Sequence, residues 1–289
     1  MQTPLPLRLA ITGVVLIFAL LGGYHLWTYY MSDPWTRDAR VSAYVVEVAP
    51  DVSGPVTEVH VVDNQTVHAG DMLFVIDPSR YQLALDEATA TVDARKVQMD
   101  QLERDATRKR NLRDSAVSAS SREQAESSAE AAAASYRQAV AALDVAKLDM
   151  ARTVVRAPVN GYVTNLQLRK GDYAHAGSPL VALVDADSFH VNGYFEETKL
   201  PHIHIGDPVD IHLMGVDGDL KGHVTGISHG IVDHELSSSS NLLANVNPTF
   251  NWVRLAQRIP VRIAFDKLPD GIHLSAGQTA TVAVEPSDK

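Results

Sequence analysis

Ala49-Pro-Asp-Val-Ser-Gly-Pro-Val-Thr-Glu-Val-His-Val-Val-Asp-Asn-Gln-Thr-Val-His-Ala-Gly-Asp-Met-Leu-Phe-Val-Ile-Asp77 and Ala157-Pro-Val-Asn-Gly-Tyr-Val-Thr-Asn-Leu-Gln-Leu-Arg-Lys-Gly-Asp-Tyr-Ala-His-Ala-Gly-Ser-Pro-Leu-Val-Ala-Leu-Val184 are two versions of one pattern. At a constant offset of 107 residues, seven pairs are identical: Gly54/Gly161, Val56/Val163, Thr57/Thr164, His68/His175, Ala69/Ala176, Gly70/Gly177 and Leu73/Leu180. Val59/Leu166, Val61/Leu168 and Ile76/Leu183 are conservative. Each copy alternates apolar and polar residues, the period of a half-buried strand. Gly54 and Gly161 follow an Ala-Pro and precede a strand, which predicts tight turns. Gly70 and Gly177 are read as turn glycines too, and Asn64 and Gly171 occupy equivalent places where positive φ is tolerated. Neither half can bury its apolar face alone, whereas two facing copies can.

Between the copies, residues 79–153 contain no Gly and no Pro. Tyr81, Leu85, Ala88, Val92, Arg95, Met99, Leu102 and Ala106 recur at spacings of four and three, with only Arg95 breaking the apolar seam. Ala129, Ala132, Tyr136, Ala139, Leu143, Ala146 and Met150 keep the same alternation. Small Ala alternating with larger residues permits close helix approach. Ser115 to Ser121 supplies weak helix formers and N-cap residues, and Ser121 with Gln124 matches a capping box. The spacing predicts an antiparallel helical hairpin bent near 115–121, each arm roughly 50 Å long. A rod of this polarity has little core of its own and is built to reach something. The expected segments are 49–78 and 154–186 for the two β halves and 79–153 for the hairpin.

Outward from this centre, residues 187–289 return to strand alternation in Phe189–Phe195, Pro208–Leu213, Gly222–Ile227, Ile259–Phe265 and Thr279–Val284. Turn residues such as Gly206-Asp-Pro208, Asp217-Gly218 and Pro269-Asp-Gly271 separate them, the punctuation of a small antiparallel barrel. Residues 32–48 read as a linker or first barrel strand. Residues 233–251, with Ser237–Ser240 and three Asn, lack periodicity and read as a loop.

At the other end, Leu9 to Ser32 carries no formal charge. This run is long enough to cross a hydrocarbon core of roughly 30 Å. Trp27, Tyr29 and Tyr30 suit the far interface, and Arg8 with the amino terminus points to a cytoplasmic N-terminus. A cleaved signal peptide would need small residues before the cut, where Tyr29-Tyr30-Met31 stands instead. Residues 1–31 are therefore expected to be a short stub and a retained single-pass anchor. The whole reads as an α+β, elongated, multidomain chain.

Composition narrows the chemistry. With 25 Lys+Arg against 35 Asp+Glu the net charge is −10, which disfavours a nucleic-acid binder. The absence of cysteine excludes thiolate catalysis, Cys-ligated zinc, iron–sulfur clusters and disulfides. His202 with His204, and His229 with His234, are the metal-ligand candidates, but no acidic second shell follows from their spacing, and no metal site is expected. No phosphate-binding Gly-rich loop and no nucleophile elbow occur. The expectation is a non-enzyme without cofactor.

A split half-motif flanking a coiled-coil hairpin, behind an N-terminal anchor, resembles the periplasmic adaptors, or membrane fusion proteins, of HlyD-type secretion and efflux systems. The halves look like the two parts of a lipoyl/biotinyl-type β domain, although the helical insert stands where a carrier's modified Lys would sit. Thr36-Arg-Asp-Ala39, Arg152-Thr-Val-Val-Arg-Ala-Pro158, Glu196-Glu-Thr-Lys-Leu200 and Trp252 to Val261 resemble most the short adaptors of p-hydroxybenzoic-acid efflux pumps. The resemblance implies a barrel containing a short helix at Glu196–Pro201. It implies an inner-membrane exporter and an outer-membrane channel as partners, a hexameric ring of copies and a periplasmic body. It also implies channel contact at the hairpin tip through Arg108, Leu112 and Ser118, where the spacing is one residue shorter than the family's. An adaptor for metal export or type I secretion, and an anchored envelope spacer or carrier, are the alternatives.

Overall fold

The computed structural model describes residues 12–24, 33–113, 117–216, 218–231, 236–238, 244–246, 256–268 and 272–285. In chain order the elements begin with α1 (residues 12–24), β1 (Trp35–Ser42), β2 (Val45–Val48), β3 (Gly54–Val59), β4 (Thr66–Val67) and β5 (Met72–Ile76). Two long helices follow, α2 (Ser79–Asn111) and α3 (Ala119–Ala151). Then come β6 (Val154–Arg156), β7 (Gly161–Thr164), β8 (Tyr173–Ala174), β9 (Val181–Asp185), β10 (His190–Glu196), β11 (Pro208–Leu213) and β12 (Asp219–Ile227). The last four are β13 (Leu236–Ser238), β14 (Ala244–Val246), β15 (Arg258–Phe265) and β16 (Thr279–Val284). They divide into two compact units, residues 45–187 and residues 1–44 with 188–289.

In the first unit, two four-stranded antiparallel sheets, β2-β9-β7-β4 and β6-β5-β3-β8, enclose one core. Each sheet combines strands from both sides of the helical insert. The pairings obey the sequence repeat: Gly54 lies opposite Ala174, and their counterparts Gly161 and Val67 lie opposite each other. Val56 opposite Ile76 is likewise repeated by Val163 opposite Leu183. Leu73, Phe74, Ile76, Val163 and Leu183 are fully buried in this core, each side chain contributing roughly 1.5–3 kcal/mol. The apolar spacing Val56–Val59–Val61 is three then two because a bulge between Val56 and Glu58 shifts the register of β3 against β5.

The four motif glycines divide into two kinds. Gly70 (φ +95°) and Gly177 (φ +78°) are left-handed turn residues. In the first turn, His68 N–H donates to the Asp71 carboxylate at 2.8 Å and Asp71 N–H donates to His68 O at 3.0 Å. Gly54 and Gly161 are not in turns. They open strands β3 and β7, where the backbone leaves no room for a side chain. A Cβ on Gly161 would stand 2.1 Å from Val184 O, and one on Gly54 would stand 2.8 Å from Ile76 Cγ2.

The second unit contains a closed six-stranded barrel in the order β1-β10-β15-β12-β11-β16, an arrangement that leaves no free sheet edge. Its interior is filled by Val41, Val191, Phe195, Ile211, Ile263 and Val282, among others. Of the segment read as a linker or first barrel strand, residues 33–48 are described and hold two strands. Trp35–Ser42 is a full barrel strand between β10 and β16, and Val45–Val48 already belongs to the sandwich, so the boundary falls at Tyr44 rather than after Val48. The helix expected at Glu196–Pro201 is a single 3-10 turn, Leu200–His202, because Glu196 is still paired with Arg258 in the barrel. Within the loop expected at 233–251, β13 and β14 pair antiparallel, Leu236 opposite Val246.

Helix α1 is exposed along its length, and among the described residues no helix is long and apolar enough to cross a membrane. The rest of the expected anchor, residues 9–11 and 25–32, lies outside the described residues, as do His234, Asp217 and the turn Pro269–Gly271.

Candidate functional site

The feature that departs most from a compact domain is the hairpin, two helices of 33 residues each inserted between β5 and β6. Its seam is narrow. The buried residues of α2 and α3 are Ala106, Ala125, Ala132 and Ala139, so the helices approach over alanine while Tyr81, Leu85, Val92, Met99 and Leu143 are half-covered. Arg95 stays exposed and donates to Gln98 Oε1 at 3.1 Å, which explains how a charge is tolerated in the seam pattern.

The base is fastened to the sandwich. Tyr81 donates its hydroxyl to Ser53 O at 2.7 Å, Arg152 lies 3.3 Å from Asp51, and Ile76 N–H donates to Thr153 O at 2.8 Å. Asp77 accepts from Ser79 Oγ at 2.6 Å and from Ser79 N at 3.0 Å, covering a free donor at the start of α2. Those two hydrogen bonds, the hydroxyl's first, hold the Asp77 carboxyl below its ordinary pKa.

At the tip the three residues singled out by sequence have different roles. Ser118 is the N-cap of α3, its hydroxyl accepting from Ser121 N at 3.2 Å. The cap therefore lies three residues before the Ser121–Gln124 box expected from sequence, and α3 begins at Ala119. Arg108 stands on the last turn of α2 beside Lys109 and Arg110, where positive charge complements the helix dipole. Leu112 follows the end of α2 and is 43% exposed. Of the three, it is the apolar side chain offered outward. Helix α2 ends at Asn111, earlier than the bend expected at 115–121, and residues 114–116 lie outside the described residues.

A fourth residue organises the tip and escaped the sequence reading. Arg122, one turn into α3, donates to Leu112 O at 2.8 Å and to Lys109 O at 3.3 Å, satisfying carbonyls left free at the end of α2. Arg110 pairs with Glu126 at 2.9 Å below it. An Arg four residues after an N-cap serine was the available signal.

Elsewhere, among the described residues no group of three or more His, Asp or Glu side chains could hold a metal ion. His204 and buried Asp207 form a turn of the same kind as His68–Asp71, with His204 N–H donating to the carboxylate at 2.7 Å. His202 and His229 are exposed.

Two domain-family models cover most of the chain. The model of the barrel-sandwich hybrid domain of RND membrane fusion proteins matches residues 44–186, and that of the AAEA-like beta-barrel domain matches residues 188–285. The uncharacterized protein YdhJ of Escherichia coli K12 is 44% identical over 273 residues, 94% of this chain and 96% of that protein. The chain belongs to the membrane fusion protein family. The membrane fusion protein Spr0693 from Streptococcus pneumoniae R6 shares the fold, with a TM-score of 0.63 at 18% identity over 87% of this chain and 98% of that one. MacA from Actinobacillus actinomycetemcomitans does so with a TM-score of 0.59 at 15% identity over 89% and 82%. The membrane fusion proteins are a family of non-enzymatic adaptors of efflux-type systems.

Proposed function

We propose that this membrane fusion protein is the periplasmic adaptor of a tripartite efflux pump. In this reading the uncharged run 9–32 anchors it in the inner membrane with its N-terminus in the cytoplasm, and the body lies in the periplasm. The barrel works beside an inner-membrane exporter, and copies assemble into a hexameric ring. The hairpin meets an outer-membrane channel through its tip. No covalent chemistry or nucleotide is involved, since the energy comes from the exporter. The exported compounds are aromatic carboxylic acids such as p-hydroxybenzoate, or drugs, on the strength of the Thr36–Ala39, Arg152–Pro158 and Trp252–Val261 segments.

One observation carries the proposal. A two-helix rod of 33-residue arms is fastened at its base to a sandwich with a buried core and ends in an exposed leucine. A photo-reactive residue replacing Leu112 in the full chain in living cells tests it. The expected product on illumination is a conjugate with an outer-membrane channel protein. Conjugates confined to peptidoglycan would instead make the chain an envelope spacer and overturn the reading.

A further inference from the structure

One patch on the outer wall of the barrel gathers hydrogen-bond donors without matching acceptors. Arg40 on β1, Asn192 on β10 and Arg262 on β15 lie side by side across three strands. Their chain neighbours Val41, Val191 and Ile263 are buried in the barrel core, and alternation along each strand turns the three polar side chains outward. By the same alternation Ser42, His190 and Tyr194 share that face. Arg40 is exposed, while Asn192, Arg262 and Tyr194 are half-buried. Tyr44, just past the end of β1, is 54% exposed, and its ring centre lies 5.7 Å from that of His190.

The arginines of this wall are held in two ways. Arg258, at the start of β15, is paired with Asp38. Arg40 and Arg262 have no carboxylate partner among the described residues. Arg262 donates to the Tyr44 hydroxyl at 2.6 Å, with its Cζ 5.1 Å from the ring centre. It also stands 3.4 Å from His190 Nδ1. That nitrogen lies 2.9 Å from Ser188 O, which assigns it as an Nδ1–H donor, so it offers Arg262 no lone pair. Asn192 donates to Ser42 Oγ at 3.1 Å. A guanidinium carries five N–H donors. Those of Arg40, and most of those of Arg262, have no acceptor among the described residues.

We propose that this wall binds a small aromatic carboxylate. The planar fork of a guanidinium matches the two oxygens of a carboxylate. Arg40 and Arg262 stand two strand spacings apart, roughly 10 Å, so both side chains can reach one anion held above Asn192. The Tyr44 hydroxyl accepts from Arg262 and keeps its own hydrogen to donate to the same anion. Tyr44 and Tyr194 flank the row on either side along the strands and supply ring faces for an aromatic ligand. The patch is one row of three residues between two tyrosines, a footprint that suits a single ring with one carboxylate better than a protein segment. This deepens the adaptor reading, whose exported compounds are of the same class, and as a statement about export it rests on that reading.

The full chain in detergent is titrated calorimetrically with benzoate, benzamide, acetate and a glutamate-rich peptide. Benzoate should bind, and benzamide, which lacks the charge, should not. Acetate, which lacks the ring, should bind about tenfold more weakly than benzoate. Arg40→Gln and Arg262→Gln should each weaken benzoate binding about tenfold, while Arg258→Gln leaves it unchanged. Arg262→Gln also removes the hydrogen bond to Tyr44, so Arg40→Gln is the deciding variant. Absence of benzoate binding, equal binding of benzoate and acetate, or full binding by Arg40→Gln would each overturn the proposal. Peptide binding tighter than that of benzoate and lost in Arg40→Gln would mean that the wall docks an acidic protein segment, and would overturn it too. Benzoate binding by a chain whose position 112 captures no channel protein would uphold the site and refute the adaptor reading. Capture without benzoate binding would refute the site and leave the adaptor reading standing.

Discussion

The sandwich and the hairpin share one compact unit but are stabilised in different ways. In the sandwich, Leu73, Phe74, Ile76, Val163 and Leu183 are sealed from water, and every central strand is paired on both sides. In the hairpin, alanines are the buried residues, and order depends on length, caps and the fastening at Tyr81, Asp77 and Arg152. Helices acquire most of their stability from a packed apolar face, so a rod with an alanine seam depends on the body that holds its base. The sandwich is the foundation, and the hairpin is a projection that gives up core for reach.

Substitutions should expose this contrast, the largest effect coming first. Gly161→Val places its Cβ against the Val184 carbonyl, and backbone cannot swing aside, so the variant should lose about 5 kcal/mol and fail to show a cooperative melt by circular dichroism. Its counterpart Gly54→Val meets only the movable Ile76 side chain and should lose about 1–3 kcal/mol. Equal losses at the two sites would erase the distinction between them. Ala132→Leu pushes the helices apart at the seam and should cost about 1–3 kcal/mol. Hydrogen exchange should accelerate in α2 and α3 while β5 and β9 keep their protection. Acceleration in all four would mean that foundation and projection unfold as one.

The smallest effect should come from Asp77→Ala, which removes the acceptor at the start of α2 and should lower the melting temperature by about 2 °C. Because the Asp77 carboxyl is held below its ordinary value, its contribution is present above the unfolded pKa of about 3.9 and disappears as pH falls through the lower folded value. The difference between wild type and Asp77→Ala should therefore vanish in strong acid. Lys221 works in the opposite sense. Its hydrogen bond to Asp210 raises its pKa, so that contribution is present below about 10.4 and is lost as pH rises through the folded value.

Sequence reached the sandwich and hairpin because each leaves a periodic signature: the repeat at offset 107, and the four-three spacing of a chain segment free of Gly and Pro. Features without a period did not show. β4 and β8 are two residues long, too short for any alternation. Residues 35–48 hold two strands that serve different units, and the break at Tyr44 carries no Gly or Pro to mark it. Gly54 and Gly161 read as turns because the close approach of Val184 O or Ile76 comes from strands far away in sequence. At the tip, Ser118 and Ser121 are equally good caps by residue type. The choice between them depends on where Arg122 meets the end of α2, which no local pattern reveals.

The most direct test of a foundation carrying a separable projection is to replace residues 79–151 with a short Gly-Ser turn in the full chain. The account predicts that the sandwich still melts cooperatively, near the wild-type temperature, while export in cells is abolished. Export at the wild-type level without the hairpin, or a sandwich that no longer folds once its insert is gone, would contradict it.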